Sequence, residues 1–103
     1  MVNMPAKAPV NFPGELRQLR DLGDRLRLAR KRRRLPMQAV SARAGISRQT
    51  LYNVENGDPS VTMGTYLRVL AVLGLEQGLD KLAAEDPLGR RLQDEALEPR
   101  GST

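Results

Sequence analysis

Residues Ala44-Gly45-Ile46-Ser47-Arg48-Gln49-Thr50-Leu51-Tyr52-Asn53-Val54-Glu55-Asn56-Gly57 decide how the chain folds. Gly45 permits a tight turn after a short helix that starts at Pro36 and turns Val40 and Ala44 inward. Ser47 offers a side-chain oxygen to the free N–H groups of the next helix, and Asn56-Gly57 supplies a left-handed terminus about two turns later. Within that second short helix Leu51 and Val54 face inward, while Arg48, Gln49, Thr50, Tyr52 and Asn53 are left outward. Ile46 plugs the angle between the two helices.

The flanking segments extend this helical pattern. Leu16, Leu19, Leu22, Leu26 and Ala29 recur at three and four residues, which predicts a first helix over residues 15–34. Its acids Glu15, Asp21 and Asp24 come early and its basic run Lys31 to Arg34 comes late, as the helix dipole favours. After Asp58-Pro59-Ser60, Thr62 caps a fourth helix with Met63, Leu67, Leu70, Ala71 and Leu73 inward and Gly74 at its end. A fifth, over about residues 76–83, carries Leu79 and Leu82. Residues 1–14, with Pro5, Pro9, Pro13 and Gly14, read as a disordered lead. Residues 85–103, beginning near Asp86-Pro87, read as a flexible tail. The expected architecture is all-α, with the folded domain over residues 15–84.

Composition narrows the chemistry. The 103 residues contain no cysteine and no histidine, which excludes disulfides, thiol nucleophiles, imidazole bases and His or Cys metal centres. Asp21 with Asp24, and Asp94 with Glu95, are the nearest approach to catalytic carboxylate pairs, yet no nucleophile, base or phosphate loop accompanies them. No enzymatic activity, cofactor or metal is therefore expected. No apolar run approaches a membrane span and no signal-peptide core opens the chain, so a cytoplasmic location is expected.

What remains is charge. Fourteen Arg and three Lys against twelve acids give a net +5. Residues 15–57 hold eleven bases and four acids, a net +7, whereas residues 58–103 hold five bases and eight acids, a net −3. The positive half coincides with the two short helices, and that coincidence points to a polyanion as partner. A short helix standing proud after a tight turn fits a DNA major groove, where Arg reads guanine and Gln reads adenine by paired hydrogen bonds. Arg48 and Gln49 carry those side chains, and Asn56 is placed for a phosphate.

Residues 22–82 resemble the Xre/Cro-type helix-turn-helix family, which includes the lambda-type phage repressors. The resemblance rests on Leu22-Gly23, Leu26, Arg30, Val40, Ala44-Gly45-Ile46-Ser47, Leu51, Glu55-Asn56-Gly57 and the Leu67 to Leu75 stretch. It implies a five-helix, lambda-repressor-like domain that binds double-stranded DNA through its third helix; a homodimer is expected from the surplus of leucines over residues 73–82. By the same resemblance Arg48, Gln49 and Asn53 fall on base-reading positions, Asn56 on a backbone contact, and Arg30 with Glu55 on a structural ion pair. The family begins its second helix with Ser or Thr followed by Gln, where this chain has Pro36 and Met37. Either Gln38 reaches back to the phosphate, or the run Lys31 to Arg34 supplies that contact. Ser47, Thr50 and Tyr52 complete the expected DNA-binding set, Tyr52 through either ring packing or a hydroxyl–phosphate bond.

Gly57 to Thr62, Leu70 to Leu75 and Asp86 to Asp94 are also similar to HipB-like antitoxins, which pair with HipA-like kinase toxins. That likeness implies an autoregulatory repressor of a toxin–antitoxin operon; the alternative is a stand-alone repressor. Leu73, Leu75, Leu79 and Leu82 read either as ordinary core or as a dimer seam, and the tail as loose chain or as a docking segment.

Overall fold

The computed structural model describes residues 10–97, and all regular structure among them is helical. The elements are α1 (Pro13–Arg32), α2 (Met37–Ala44), α3 (Arg48–Glu55), α4 (Met63–Val72), a 3-10 helix (Glu76–Lys81), α5 (Pro87–Leu92) and a closing π turn (Gln93–Leu97).

The first helix begins at Pro13, not at Glu15, which corrects the expected lead. Proline at the first helical position loses only an N–H that has no partner there, so Pro13 starts a helix rather than blocking one. Glu15 reaches back to accept hydrogen bonds from the Phe12 backbone N–H at 3.3 Å and from Asn11 Nδ2 at 2.9 Å. The remainder of the lead, residues 1–9, lies outside the described residues, as does the tail beyond Leu97.

Leu26, Ala29, Val40, Ala44, Leu51, Val54, Tyr66, Val69 and Leu73 form the core, drawn from α1 to α4 and the residue that caps α4. The fourth helix departs from expectation. Met63 is 64% exposed, and Tyr66 and Val69 take the innermost positions instead, with Leu67, Leu70 and Ala71 half-buried. The Tyr66 hydroxyl donates to the Asp58 carbonyl at 3.0 Å, so the largest core side chain also ties α4 to the turn after α3. In that turn the Asp58 carboxylate accepts from the backbone N–H and then the hydroxyl of Ser60, which holds its pKa below the usual aspartate range. Thr62 caps α4 through the Thr65 N–H at 3.2 Å.

One close crossing sets the angle between α1 and α3. A Cβ on Gly23 would stand 2.6 Å from the Glu55 carbonyl oxygen, and one on Gly57 would collide with the Leu19 carbonyl. Two backbones therefore touch where side chains would hold them apart.

Beyond Gly74 packing thins. The expected fifth helix is a 3-10 segment, in which Leu79 is half-buried and Leu82 is 63% exposed. The segment expected to be flexible contains α5, started by Pro87 and capped by Asp86, whose Oδ1 accepts from the Gly89 N–H at 2.9 Å. Its Leu88 and Leu92 remain exposed, so this is local helix without burial. No helix among the described residues is long and apolar enough to cross a membrane.

Burial, and then the negative charge of Asp58, push the Tyr66 pKa above the usual tyrosine range. A raised pKa contributes stability that is complete below the unfolded value of about 10 and is lost as pH rises through the folded value. Tyr66→Phe should lower stability by about 0.5–1.5 kcal/mol at neutral pH, the worth of one hydrogen bond. It should also flatten the alkaline fall in melting temperature, which thermal unfolding at a series of pH values would record.

Candidate nucleic-acid interface

The turn between α2 and α3 is built by Gly45, whose φ of +72° is left-handed. Its N–H bonds the Ala42 carbonyl at 3.2 Å and the Ile46 N–H bonds the Ser41 carbonyl at 3.0 Å, closing the end of α2. Ile46 packs half-buried against the core, which bends the chain sharply into α3. Ser47 Oγ accepts from the Thr50 N–H at 3.0 Å and donates to Thr50 Oγ1 at 2.9 Å. Ser47 and Thr50 are thus engaged with each other at the helix start.

With Leu51 and Val54 fully buried, the opposite face of α3 is exposed. Arg48, Gln49, Tyr52 and Asn56 are exposed and Asn53 is half-buried, at spacings that put them on adjoining turns. Arg48 has no ion-pair or hydrogen-bond partner for its guanidinium among the described residues. Gln49 Nε2 donates to Asn53 Oδ1 at 3.0 Å, which leaves Gln49 Oε1 and Asn53 Nδ2 as their outward atoms. Asn56 ends the helix, and its N–H bonds the Tyr52 carbonyl at 3.0 Å. Gln38 is exposed in the first turn of α2 and its side chain bonds none of these residues.

Arg30 and Glu55 make a two-pronged pair: Nε to Oε2 at 2.7 Å and Nη2 to Oε1 at 3.1 Å. Both residues are buried, at 8% and 9% exposure. The remaining prong, Nη1, donates to the Leu35 carbonyl at 3.0 Å. One guanidinium therefore joins α1, the end of α3 and the turn leading to α2.

A further clamp escaped sequence reading. From α4, Arg68 donates Nη2 to the Arg43 carbonyl at 3.1 Å and Nε to the Ala44 carbonyl at 3.5 Å, holding the last turn of α2. The signal available was a lone base in an otherwise apolar helix, placed to meet carbonyls that a helix end leaves without partners. At the other end of α2, Pro36 provides no side-chain cap.

Among the described residues no cluster of acidic, His or Cys side chains is suited to a metal ion. Only two ion pairs occur there, Arg27 with Asp24 at the surface and Arg30 with Glu55 inside. Most of the cations on α1, α2 and α3 are consequently unneutralised, and the site combines an exposed polar helix face with surplus positive charge.

Residues 21–82 match the model of a family described as helix-turn-helix domain. No curated protein and no solved structure matches the chain.

Removing one member of a buried ion pair leaves the other charged and without a partner. Glu55→Ala should therefore cost about 3–5 kcal/mol of stability. Arg30→Lys should also destabilise, though by less, since an ammonium keeps the charge opposite Glu55 but cannot form the fork. Urea denaturation of the variants measures both.

Proposed function

Because the chain belongs to the helix-turn-helix domain family, we propose that it is a sequence-specific DNA-binding repressor that inserts α3 into the major groove. The observation that carries this reading is the exposed face of α3, with Arg48 free and Gln49 held beside Asn53, set on the half of the chain with net charge +7. Arg48, Gln49 and Asn53 read base edges, while Tyr52, Asn56 and Gln38 contact the sugar–phosphate backbone. Ser47 and Thr50 serve by capping the helix that presents them. The protein acts in the cytoplasm and has no catalytic role.

A repressor of this kind gains by pairing, because two copies present two α3 helices to half-sites about 34 Å apart. Support for a protein-binding role comes from an apolar groove of about 330 Å³ between α1, α4 and the 3-10 helix, lined by Leu19, Leu22, Tyr66, Leu70, Leu79 and Leu82 among others. Leu88 and Leu92 of α5 are exposed as well. A homodimer uses part of this apolar surface. Under the antitoxin reading, which stems from the HipB-like segments, a HipA-like kinase toxin uses the rest.

Arg48→Ala and Gln49→Ala should each cost about 1–3 kcal/mol on the cognate site and relax preference at one or two base positions. Titration against the DNA upstream of the chain's own gene, compared with scrambled duplex, tests this. If neither substitution changes binding, α3 is not the reading helix. For the antitoxin reading, an adjacent gene should encode a kinase-like protein that copurifies with this one. A neighbour of unrelated type with no copurifying partner leaves a stand-alone repressor.

A further inference from the structure

The turn between α1 and α2 concentrates charge that the fold does not use. Lys31, Arg32, Arg33 and Arg34 are consecutive and exposed. Arg33 ties its Nη1 to the Ala29 carbonyl at 2.9 Å, but Lys31, Arg32 and Arg34 have no side-chain partner among the described residues. Four adjacent cations repel one another, and here no carboxylate offsets the repulsion.

Backbone geometry fixes how the turn presents Arg34. Arg34 has a φ of +54°, in the left-handed region where a side chain crowds its own backbone and glycine is the favoured residue. Arg34 closes α1 in a Schellman-type turn, the left-handed ending common just past a helix C-terminus, and an arginine there costs more than a glycine would.

The turn is also rigidly placed. The Arg34 N–H bonds the Lys31 carbonyl at 2.9 Å, and the Leu35 N–H bonds the Arg30 carbonyl at 3.2 Å. The Leu35 carbonyl accepts from the same guanidinium that grips Glu55 at the end of α3. Position and orientation of the basic turn are therefore coupled to α3 through a single buried side chain.

We propose that the turn Lys31 to Arg34 is a phosphate-gripping element that holds the backbone of duplex DNA, with Arg34 as its main contact, in fixed register with α3. The inference rests on the DNA-binding reading above and adds a second element to the surface that α3 presents. The ligand is the phosphodiester backbone, so the grip is indifferent to base sequence and sensitive to salt.

The test uses the full chain with Arg34→Gly and Arg34→Lys, binding cognate and scrambled duplexes over a range of salt concentrations, alongside thermal unfolding. Arg34→Gly should raise the melting temperature by a few degrees, because it relieves the left-handed strain. It should weaken binding to both duplexes alike, roughly eightfold at 0.1 M salt for one lost contact, and reduce the slope of log K against log salt by about 0.9. Arg34→Lys should restore most of the affinity. Unchanged affinity and slope in Arg34→Gly, with Arg48→Ala still impairing cognate binding, would overturn the proposal and leave the reading of α3 intact. A fall in melting temperature would show Arg34 to serve the fold, which also overturns it. Should the unsubstituted chain bind no duplex at any salt concentration, both readings fail together.

Discussion

The buried fork between Arg30 and Glu55 is the constraint from which the rest of the domain takes its geometry. Glu55 stands at the C-terminal end of α3, where the helix dipole disfavours a negative charge, and it is withdrawn from water. Such a carboxylate persists only if a cation meets it squarely, and the two parallel bonds from Arg30 do so. Because Arg30 must also satisfy its third prong, the Leu35 carbonyl is drawn in as well. A charge problem at one helix end thus fixes three segments relative to one another.

Around this fork the apolar core is small and contains one aromatic ring, Tyr66. Two other devices stiffen it. Contact between backbones at Gly23 and Gly57 sets how α3 leans on α1, and the Arg68 guanidinium closes the end of α2 from the far side. Each acts on a neighbour of the α2–α3 turn rather than on the turn itself. Presentation of the α3 face is therefore a property of the whole domain and not of the two short helices alone.

Much of this was legible from sequence, and the exceptions have physical causes. Gly45, Ser47, Leu51 and Val54 could be read because turn, cap and apolar phase agree within a few residues. In α4 the phase could not be read: Met63-Gly64-Thr65-Tyr66-Leu67-Arg68-Val69-Leu70-Ala71-Val72 is apolar on nearly every side. Periodicity alone cannot choose Tyr66, Val69 and Leu73 over Met63, Leu67 and Leu70 there. Asp86-Pro87 reads as the start of a flexible tail, although an acidic cap followed by proline is equally a helix start. At the candidate site, the outward set of α3 followed from the buried one. The bond between Gln49 and Asn53 had a signal in their four-residue spacing, whereas Arg68 could be placed only once α4 was packed.

That bond between Gln49 and Asn53 has a mutational consequence. Each amide engages one of its two ends with the other, so Gln49 Oε1 and Asn53 Nδ2 are the wholly unused ends and their order is fixed. A substitution at either position frees the bonded end of its neighbour and changes what both display. Substitutions at the two positions are therefore expected to be non-additive and to be tolerated best as a couple, while Arg48, bonded to neither, is independent of them.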